Sequence, residues 1–217
     1  MRIEVVTLFP ELVRDALRHG VLGRAQQRGL LEVGTEDPRA HVRDVHKTVD
    51  DRPYGGGPGM VMKPEPLSAA IGAAMARLPE GARRIALSAQ GRPLTQQRVR
   101  ELAAGPGLLL VAGRYEGIDE RVTHLVTDRV SIGPYVLSGG EIAAMATLDA
   151  VTRKLPGAIS NPESIVSESH APELEGGAEY PHYTRPAEFR GWEVPEVLRS
   201  GHHAAIERWR AEQVRKR

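Results

Sequence analysis

Three continuous apolar runs constrain the fold of this chain more than any other feature. They lie at residues 3–9, 84–88 and 108–112, and each ends close to a glycine, a proline or a polar turn residue. Runs of this kind are typical of strands that are buried on both faces of a sheet. Helical patterns separate them, at residues 11–19, 65–78 and 95–104. Strands that alternate with helices predict an α/β fold with a mainly parallel sheet.

A helix start is indicated at residues 138–141 (SGGE), because a Ser followed three residues later by a Glu matches the capping box. The helix is expected to pass Val151 and to end before Pro156. Residues 161–177 are then polar and acidic without periodicity, which predicts a linker that orders on binding. A second, small unit follows, with a helix predicted at residues 203–215.

Composition excludes several classes of function. The chain has no cysteine, which excludes disulfides, thiol nucleophiles and cysteine-bound zinc. Its 29 Lys and Arg residues against 28 Asp and Glu residues disfavour nonspecific wrapping of nucleic acid, although residues 185–217 carry eight basic and five acidic side chains. Aromatic residues make up 4%, which argues against a stacking platform. Apolar runs fall short of the roughly 20 residues of a membrane helix, so we expect a cytoplasmic protein without membrane contact.

The histidines predict neither a zinc site nor a hydrolase site. His41 and His46 are five residues apart and His202 and His203 are adjacent, so neither pair shares a helix face. The sequence also lacks the HExxH pattern of zinc proteases and the GxSxG elbow of hydrolases. We therefore expect no metal-binding residues.

Three glycine-rich segments carry the strongest functional signal, at residues 53–59 (PYGGGPG), 110–121 (LVAGRYEGIDER) and 130–141 (VSIGPYVLSGGE). They match neither the phosphate-binding loop of nucleotide triphosphatases nor the dinucleotide fingerprint GxGxxG. Because parallel strands bring their carboxyl ends to one edge of a sheet, we expect a ligand site at that edge. A tight surface loop and a solvated, salt-bridged helix face remain alternatives for the first two segments.

These segments belong to a longer series that spans almost the whole chain. The series is VTLFPE at 6–11, DDRPYGGGPGMVM at 50–62, LSAQGRPL at 87–94, GRYEGIDERV at 113–122, SIGPYVLSGGE at 131–141, LPG at 155–157 and PHYTRP at 181–186. In composition and order it resembles the bacterial tRNA (guanine-N1)-methyltransferases, the TrmD family of knotted SPOUT methyltransferases.

The resemblance implies a fold and an organisation. A knotted catalytic domain that binds S-adenosylmethionine would occupy residues 1–159, with a trefoil knot in its C-terminal part. Residues 160–177 would form a flexible linker, and residues 178–217 a small helical domain that contacts tRNA. The family forms homodimers whose active sites are shared between subunits. Its members commonly continue beyond the point where this sequence stops, so part of the tRNA-contacting module is expected to be missing.

The resemblance also implies binding residues. S-adenosylmethionine would be held by residues of the three loops around the knot, namely Leu87, Ser88, Gln90, Gly91, Gly113, Tyr115, Glu116, Ile132, Gly133, Pro134, Tyr135, Val136, Leu137, Gly139 and Gly140. The tRNA substrate would be bound by Asp50, Gly55, Gly56, Pro58 and Gly59. The family also uses Mg²⁺ in methyl transfer, and no metal site can be assigned from this sequence.

The implied reaction is methylation of N1 of the guanosine at position 37 of tRNA, just 3′ of the anticodon. Arg153 matches the family arginine that stabilises charge on the guanine O6. Glu168 matches the position of the catalytic base, where the family has an aspartate followed by a serine; Glu163 and His170 are nearby substitutes. This departure favours, as an alternative, a degenerate relative that binds tRNA or cofactor without turnover. A Rossmann-type enzyme would need a glycine fingerprint after the first strand, and residues 8–11 contain none.

Overall fold

The computed structural model describes residues 1–161, 168–170, 174 and 177–215. The chain divides into two compact units, unit 1 at Met1–Ser160 and unit 2 at Asn161–Arg217. In chain order, unit 1 contains β1 (Arg2–Val6), α1 (Pro10–Ala16), α2 (Gly20–Gln27), β2 (Glu32–Glu36), a 3₁₀ turn (Pro38–His41), β3 (Asp50–Asp51), β4 (Val61–Met62), α3 (Pro64–Met75), β5 (Arg83–Pro93), α4 (Gln96–Ala103), β6 (Gly107–Ala112), a 3₁₀ turn (Glu120–Leu125), β7 (Asp128–Ser131) and α5 (Glu141–Thr152).

Five parallel strands form the main sheet of unit 1, in the order β2-β1-β6-β5-β7. This confirms the predicted α/β fold with a parallel sheet. One strand is longer than predicted: β5 continues after an irregularity, so that Leu87 and Arg92 both pair with Val130 of β7. Residues 88–91 therefore loop out of the sheet next to β7.

Apolar side chains cover both faces of this sheet, as the continuous runs predicted. All six residues of β6 are buried. Leu108 and Leu110 pack into one core cluster, whereas Leu109 and Val111 pack into the other, because successive side chains of a strand point to opposite faces. Helices α1, α2, α4 and α5 contribute to the first cluster and α3 to the second.

The predicted helices of unit 1 are all present, with ends that differ by a few residues. Helix α4 begins as expected after Thr95, whose hydroxyl accepts a hydrogen bond from the Arg98 backbone N–H at 3.3 Å. The capping box predicted for α5 is wrong. Gly140 occupies the N-cap position, and the Glu141 carboxylate accepts hydrogen bonds from Thr7 and Arg114 instead. A buried guanidinium and hydroxyl need this acceptor more than a helix N–H does.

A series of ion pairs connects β1 and β2 with the segment after α3. Glu4 is fully buried, and its two carboxylate oxygens accept hydrogen bonds from Arg2 at 2.9 Å and Arg77 at 2.7 Å. Arg77 also pairs with Glu36 at 2.8 Å, and Glu36 contacts the His41 ring at 2.8 Å. The hydrogen bond with Glu4 raises the pKa of Arg77. The buried carboxylate is thus compensated by a fixed network of cations.

Glu36 gives this network a pH dependence. Burial raises its pKa, but the hydrogen bonds from His41 and Arg77 outweigh burial and leave the pKa below the usual 4.5. A carboxylate with a lowered folded-state pKa stabilises the fold above the unfolded value and loses that contribution as pH falls through the folded value. We expect Glu36→Gln to lower the free energy of unfolding at pH 7 and the difference from the parent to shrink below about pH 4.5. Denaturant unfolding at several pH values measures this; a difference that stays constant from pH 7 to 3 would contradict it.

Among its described residues, unit 2 has a small antiparallel hairpin and two helices. The hairpin consists of β8 (Glu188–Phe189) and β9 (Trp192–Glu193), and the helices are α6 (Glu196–Arg199) and α7 (His203–Arg215). The helix predicted at residues 203–215 is confirmed with these bounds.

Candidate active site

A pocket of about 360 Å³ lies at the carboxyl edge of β5, β6 and β7. Most of its wall comes from three stretches of chain: residues 86–90 at the irregularity within β5, residues 113–118 directly after β6, and residues 131–143 from the last residue of β7 onward. This is the edge where open parallel sheets bind ligands. Thirteen of the fifteen residues predicted to hold the cofactor line it, namely Leu87, Ser88, Gln90, Gly113, Tyr115, Glu116, Ile132, Gly133, Tyr135, Val136, Leu137, Gly139 and Gly140.

Gly91 and Pro134 are the two predicted cofactor residues that do not line the pocket. Gly91 instead lies against β7, where a Cβ would be 2.5 Å from the backbone of Val130. Only a glycine allows this close approach, so the role of Gly91 in the structure is to let two chain segments pass each other.

The N-terminus of helix α5 packs closely against the end of β6, the second place where a glycine allows two backbone segments to approach each other. The Gly140 backbone N–H donates to the Gly113 carbonyl at 2.8 Å, and a Cβ on Gly140 would lie 2.7 Å from the Ala112 Cα. Arg114 also bridges to Gly139 in antiparallel fashion. These contacts close the pocket between the loop after β6 and the N-terminus of α5.

The segment at residues 50–62 meets the loop after β6. The Glu116 N–H donates to the Met60 carbonyl at 2.9 Å, and the Glu116 carboxylate lies against Gly59. The Asp50 carboxylate lies near the Tyr115 hydroxyl, and burial and this carboxylate together raise the pKa of the hydroxyl. The structure therefore brings two predicted substrate-binding residues, Asp50 and Gly59, to two predicted cofactor-binding residues.

Gly55, Gly56 and Pro58 lie elsewhere. They are exposed at the tip of the same glycine-rich loop and do not line the pocket.

Tyr115 has an unusual conformation and environment. Its backbone φ is +60°, a left-handed value that is uncommon for a residue other than glycine. Burial raises the pKa of the Tyr115 hydroxyl above its usual value of 10.0, and the neighbouring Asp50 carboxylate raises it further. The phenol is thus a neutral hydrogen-bond donor at physiological pH, at the point where two loops meet.

Arg153 does not lie in the pocket of its own chain. It directly follows α5, whose N-terminus lines the pocket, and a 12-residue helix is about 18 Å long. Its neighbour Gly157 accepts a hydrogen bond at 2.9 Å from Arg28, which precedes the start of β2. Arg153 is therefore displaced toward the amino edge of the sheet, and the pocket and this arginine are at opposite ends of α5.

Glu168 belongs to unit 2, and it is buried with 9% of its surface exposed. His170 is exposed, and its N–H donates to the Gly177 carbonyl at 2.8 Å. Glu163, the other substitute, lies outside the described residues, as does most of the predicted linker. Burial distinguishes Glu168 from His170 as a side chain that is shielded from water.

Arg114 lies in one of the segments expected to form the ligand site, but its contact with Glu141 was not predicted, because Glu141 was assigned to a helix cap. The Arg114 Nε donates to Glu141 at 2.9 Å, and Arg114 lines the pocket. The available signal was the position of both residues next to glycines in apolar surroundings, where a charged side chain needs a partner.

Unit 2 concentrates the aromatic residues of the chain. Five of the nine lie in residues 178–217, a local excess that the overall composition does not reveal. Tyr183 and Trp209 have ring centroids 6.3 Å apart, and the Arg210 guanidinium lies 4.8 Å from the Tyr180 ring. On the hairpin, Phe189 and Trp192 are 55% and 69% exposed, and Arg190 lies 5.2 Å from the Phe189 ring.

Two further observations concern metals and membranes. Within residues 1–161, 168–170, 174 and 177–215, no three His, Asp or Glu side chains are placed to hold a metal ion together. Over the same part of the chain, none of the helices combines the length and the apolar character needed to span a bilayer.

The fold and the pocket define an α/β protein with a loop-built pocket at the carboxyl edge of a parallel sheet. The sequence model of the family described as tRNA (Guanine-1)-methyltransferase TrmD matches residues 1–217, and the chain belongs to this family.

Close relatives cover nearly the whole chain. It is 56% identical over 215 residues to the tRNA (guanine-N(1)-)-methyltransferase of Methylococcus capsulatus, covering 99% of this chain and 84% of the relative. It is 55% identical over 218 residues to the enzyme of that description from Chloroflexus aurantiacus, covering 100% and 85%. It is 53% identical over 214 residues to the enzyme of the same description from Halorhodospira halophila, covering 98% of this chain and 80% of the relative. The resemblance inferred from the seven sequence segments is confirmed.

Proposed function

We propose that this protein transfers the methyl group of S-adenosylmethionine to N1 of the guanosine at position 37 of tRNA. The observation that carries the proposal is membership of the TrmD family along the full chain, together with a loop-built pocket at the sheet edge. The same membership supports a tRNA partner and a cytoplasmic location.

The residues of the pocket fit S-adenosylmethionine. Apolar side chains such as Leu87, Ile132 and Leu137 suit a flat heterocycle, and ligand pockets typically combine such walls with a few polar groups. The Glu116 carboxylate suits a cationic group of the cofactor. When bound, the cofactor supplies an electrophilic methyl group on a sulfonium. We propose that all fifteen predicted residues shape this site, Gly91 and Pro134 through the loops that they support.

The reaction requires a base and a charge-stabilising donor. Guanine N1 carries a proton, so its lone pair is not free until a base removes that proton. We propose Glu168 as this base, which would take the N1 proton so that the N1 lone pair becomes free to accept the methyl group. Arg153 would stabilise the negative charge that develops on O6, as preorganised donors do in other active sites.

The guanosine would be bound by the loop that adjoins the cofactor pocket. Asp50 and Gly59 lie next to Tyr115 and Glu116, and the exposed Gly55, Gly56 and Pro58 offer backbone groups to a base. Mg²⁺ is proposed as a requirement of methyl transfer from the family alone.

We infer that the protein works as a homodimer whose partner completes each active site. Several apolar side chains of unit 1 are exposed: Tyr135 and Val136 in the pocket wall, Ile142 at the start of α5, and Phe9 and Leu12 at the start of α1. Exposed apolar residues that lie close together are typical of an interaction surface. Arg153 lies at the far end of α5 from the pocket of its own chain, so a second copy would have to supply it.

A trefoil knot in the C-terminal part of residues 1–159 is part of the proposal. It is supported by the crossing at Gly91, where residues 88–91 loop out beside Val130 and pack on its backbone. Residues 160–177 would act as the linker and residues 178–217 as the domain that contacts tRNA.

The cofactor pocket can be tested at Gly140. Gly140→Ala should weaken S-adenosylmethionine binding by about 10-fold, because a Cβ would meet the Ala112 backbone and overpacking of this kind costs about 1–3 kcal/mol. Isothermal titration calorimetry measures the dissociation constant. Gly72→Ala is the matched control, since no described atom lies within 4 Å of a Cβ there. Equal affinities in the two variants would remove Gly140 from the pocket.

The aromatic hairpin of unit 2 supports tRNA binding through stacking. Trp192→Ala should weaken tRNA binding by about 10-fold, because stacking on one ring contributes about 1–3 kcal/mol. The loss should be the same at low and high salt, whereas Arg190→Ala should reduce the salt dependence of binding by about one phosphate contact. Filter binding over a range of salt concentrations separates the two. An unchanged affinity in Trp192→Ala would place tRNA elsewhere.

The proposed function is tested by transfer of a labelled methyl group with Mg²⁺ present. Two tRNA transcripts are compared, one with guanosine 3′ of the anticodon and preceded by guanosine, the other with adenosine at that position. Transfer to the first transcript alone is the expected result. Intact tRNA binding without transfer to either would favour the degenerate binding relative, for which the replacement of the family aspartate by Glu168 is the motivating observation.

A further inference from the structure

Glu141 is a buried carboxylate with a specific set of partners. It is 1% exposed, and its Oε1 accepts a hydrogen bond from the Thr7 hydroxyl at 2.9 Å. Thr7 is itself fully buried and accepts from the Phe9 N–H at 2.9 Å. Glu141 is the first residue of α5, and the positive end of the helix dipole favours a negative charge there. Glu141 thus joins the end of β1 to the start of α5.

The second carboxylate oxygen holds Arg114. The Arg114 Nε donates to Glu141 Oε2 at 2.9 Å, and Nη1 donates to the Ser138 carbonyl at 3.2 Å. The guanidinium also lies 4.3 Å from the centroid of the Phe9 ring, as in a cation–π contact. The Arg114 side chain is 22% exposed. These three contacts lie in different directions and hold it in one orientation.

This orientation fixes part of the pocket wall. Gly139 and Gly140 line the pocket, and the Arg114 side chain packs against Gly139 while bonding to the preceding carbonyl. Without the carboxylate, Arg114 would lose its anchor and the Thr7 hydroxyl its acceptor. The loop at residues 132–140 would then be tied to β6 mainly by backbone contacts.

We propose that Glu141 is a positioning residue of the cofactor pocket, which acts through Arg114 to hold the backbone at Ser138 and Gly139 in the conformation that binds S-adenosylmethionine. This inference rests on the proposed function, because it assigns S-adenosylmethionine to this pocket. It gives Glu141 no part in proton transfer or in charge stabilisation at the guanine.

A double-mutant cycle tests the proposal. Glu141→Ala and Arg114→Ala should each weaken S-adenosylmethionine binding by about 10-fold, and the double variant should be no weaker than either alone, because both break one network. Glu141→Gln keeps an acceptor for Arg114 and should bind within about 3-fold of the parent. The single-turnover rate at saturating cofactor should change by less than about 3-fold in Glu141→Ala, so that affinity and rate separate.

Glu4→Gln serves as the matched control. Glu4 is equally buried and paired with arginines, but it lies outside the pocket wall. Its variant should lower the melting temperature and leave cofactor affinity unchanged. Additive losses in the cycle, or an unchanged affinity in a folded Glu141→Ala, would overturn the inference. If the parent protein itself does not bind S-adenosylmethionine, the proposed function fails, and the inference fails with it.

Discussion

Replacing Glu168 by glutamine should lower the single-turnover rate of methyl transfer by about 10²- to 10⁴-fold. The amide has nearly the size and shape of the carboxylate but cannot take the N1 proton, so the change removes the proposed base at nearly constant shape. Glu168 is 9% exposed, and a carboxylate shielded from water is better placed for proton transfer than an exposed one. The measurement is rapid-quench transfer of a labelled methyl group with enzyme in excess over tRNA.

Three further variants separate Glu168 from its neighbours. Glu163→Gln and His170→Gln should keep the parent rate. Glu168→Asp restores the residue of the family pattern. It should retain most of the activity, since the aspartate side chain is shorter than that of glutamate by only one methylene. Binding of tRNA and of S-adenosylmethionine should be unaffected in Glu168→Gln. Full activity in that variant would remove Glu168 from the role of base, and loss in Glu163→Gln would transfer the role.

Replacing Arg153 by alanine should lower the same rate by about 10²- to 10³-fold, because a preorganised donor at a developing oxyanion contributes that much. Arg153→Lys should recover only part of the loss, since lysine keeps the charge without the planar fork of donors. Cofactor affinity should stay at the parent value, because Arg153 does not line the pocket of its own chain.

Mixed dimers show which copy supplies the arginine. One chain carries Arg153→Ala with an intact pocket, and the other carries Gly140→Ala with an intact arginine; the assay uses cofactor near the parent dissociation constant, where the Gly140→Ala pocket is mostly empty. If Arg153 acts on the partner's pocket, the mixture regains one complete site and up to about half of the parent activity per dimer. If it acts within its own chain, every site in the mixed dimer is defective, and activity stays at the level of the single variants.

The three central strands β1, β6 and β5 and the parallel sheet could be predicted, because burial on both faces leaves a strong pattern in the sequence. The edge strands β2 and β7 were not predicted, because they are only partly buried and carry no continuous apolar run. The continuous apolar run that became β6 is buried at every residue. The helix after residues 138–141 was predicted for a partly wrong reason. Its start was found, but the capping box was not formed, because Thr7 and Arg114 compete for Glu141. Thr7 lies 134 residues away in the chain, and no local pattern reveals such a partner.

The residues of the loops that follow the strands could be predicted. The location of a residue at the far end of a helix could not, because it depends on the length and direction of that helix. The resemblance named thirteen residues that line the pocket. It could not place Arg153, because the length and direction of α5 determine which edge of the sheet the residue reaches. The aromatic cluster of unit 2 was hidden for another reason, since a composition averaged over 217 residues conceals a local excess.

The pairing of β1 with β6 determines how long β1 stays without its second partner strand during synthesis. β1 lies between β2 and β6, and β6 begins at Gly107, about 100 residues further along the chain. A ribosome adding about 5–20 residues per second needs roughly 5–20 s to cover that distance. Throughout this interval Ile3, Val5 and Val6 have at most one strand beside them. An unpaired apolar edge of this kind can pair with other chains, so it is an aggregation hazard until β6 has emerged.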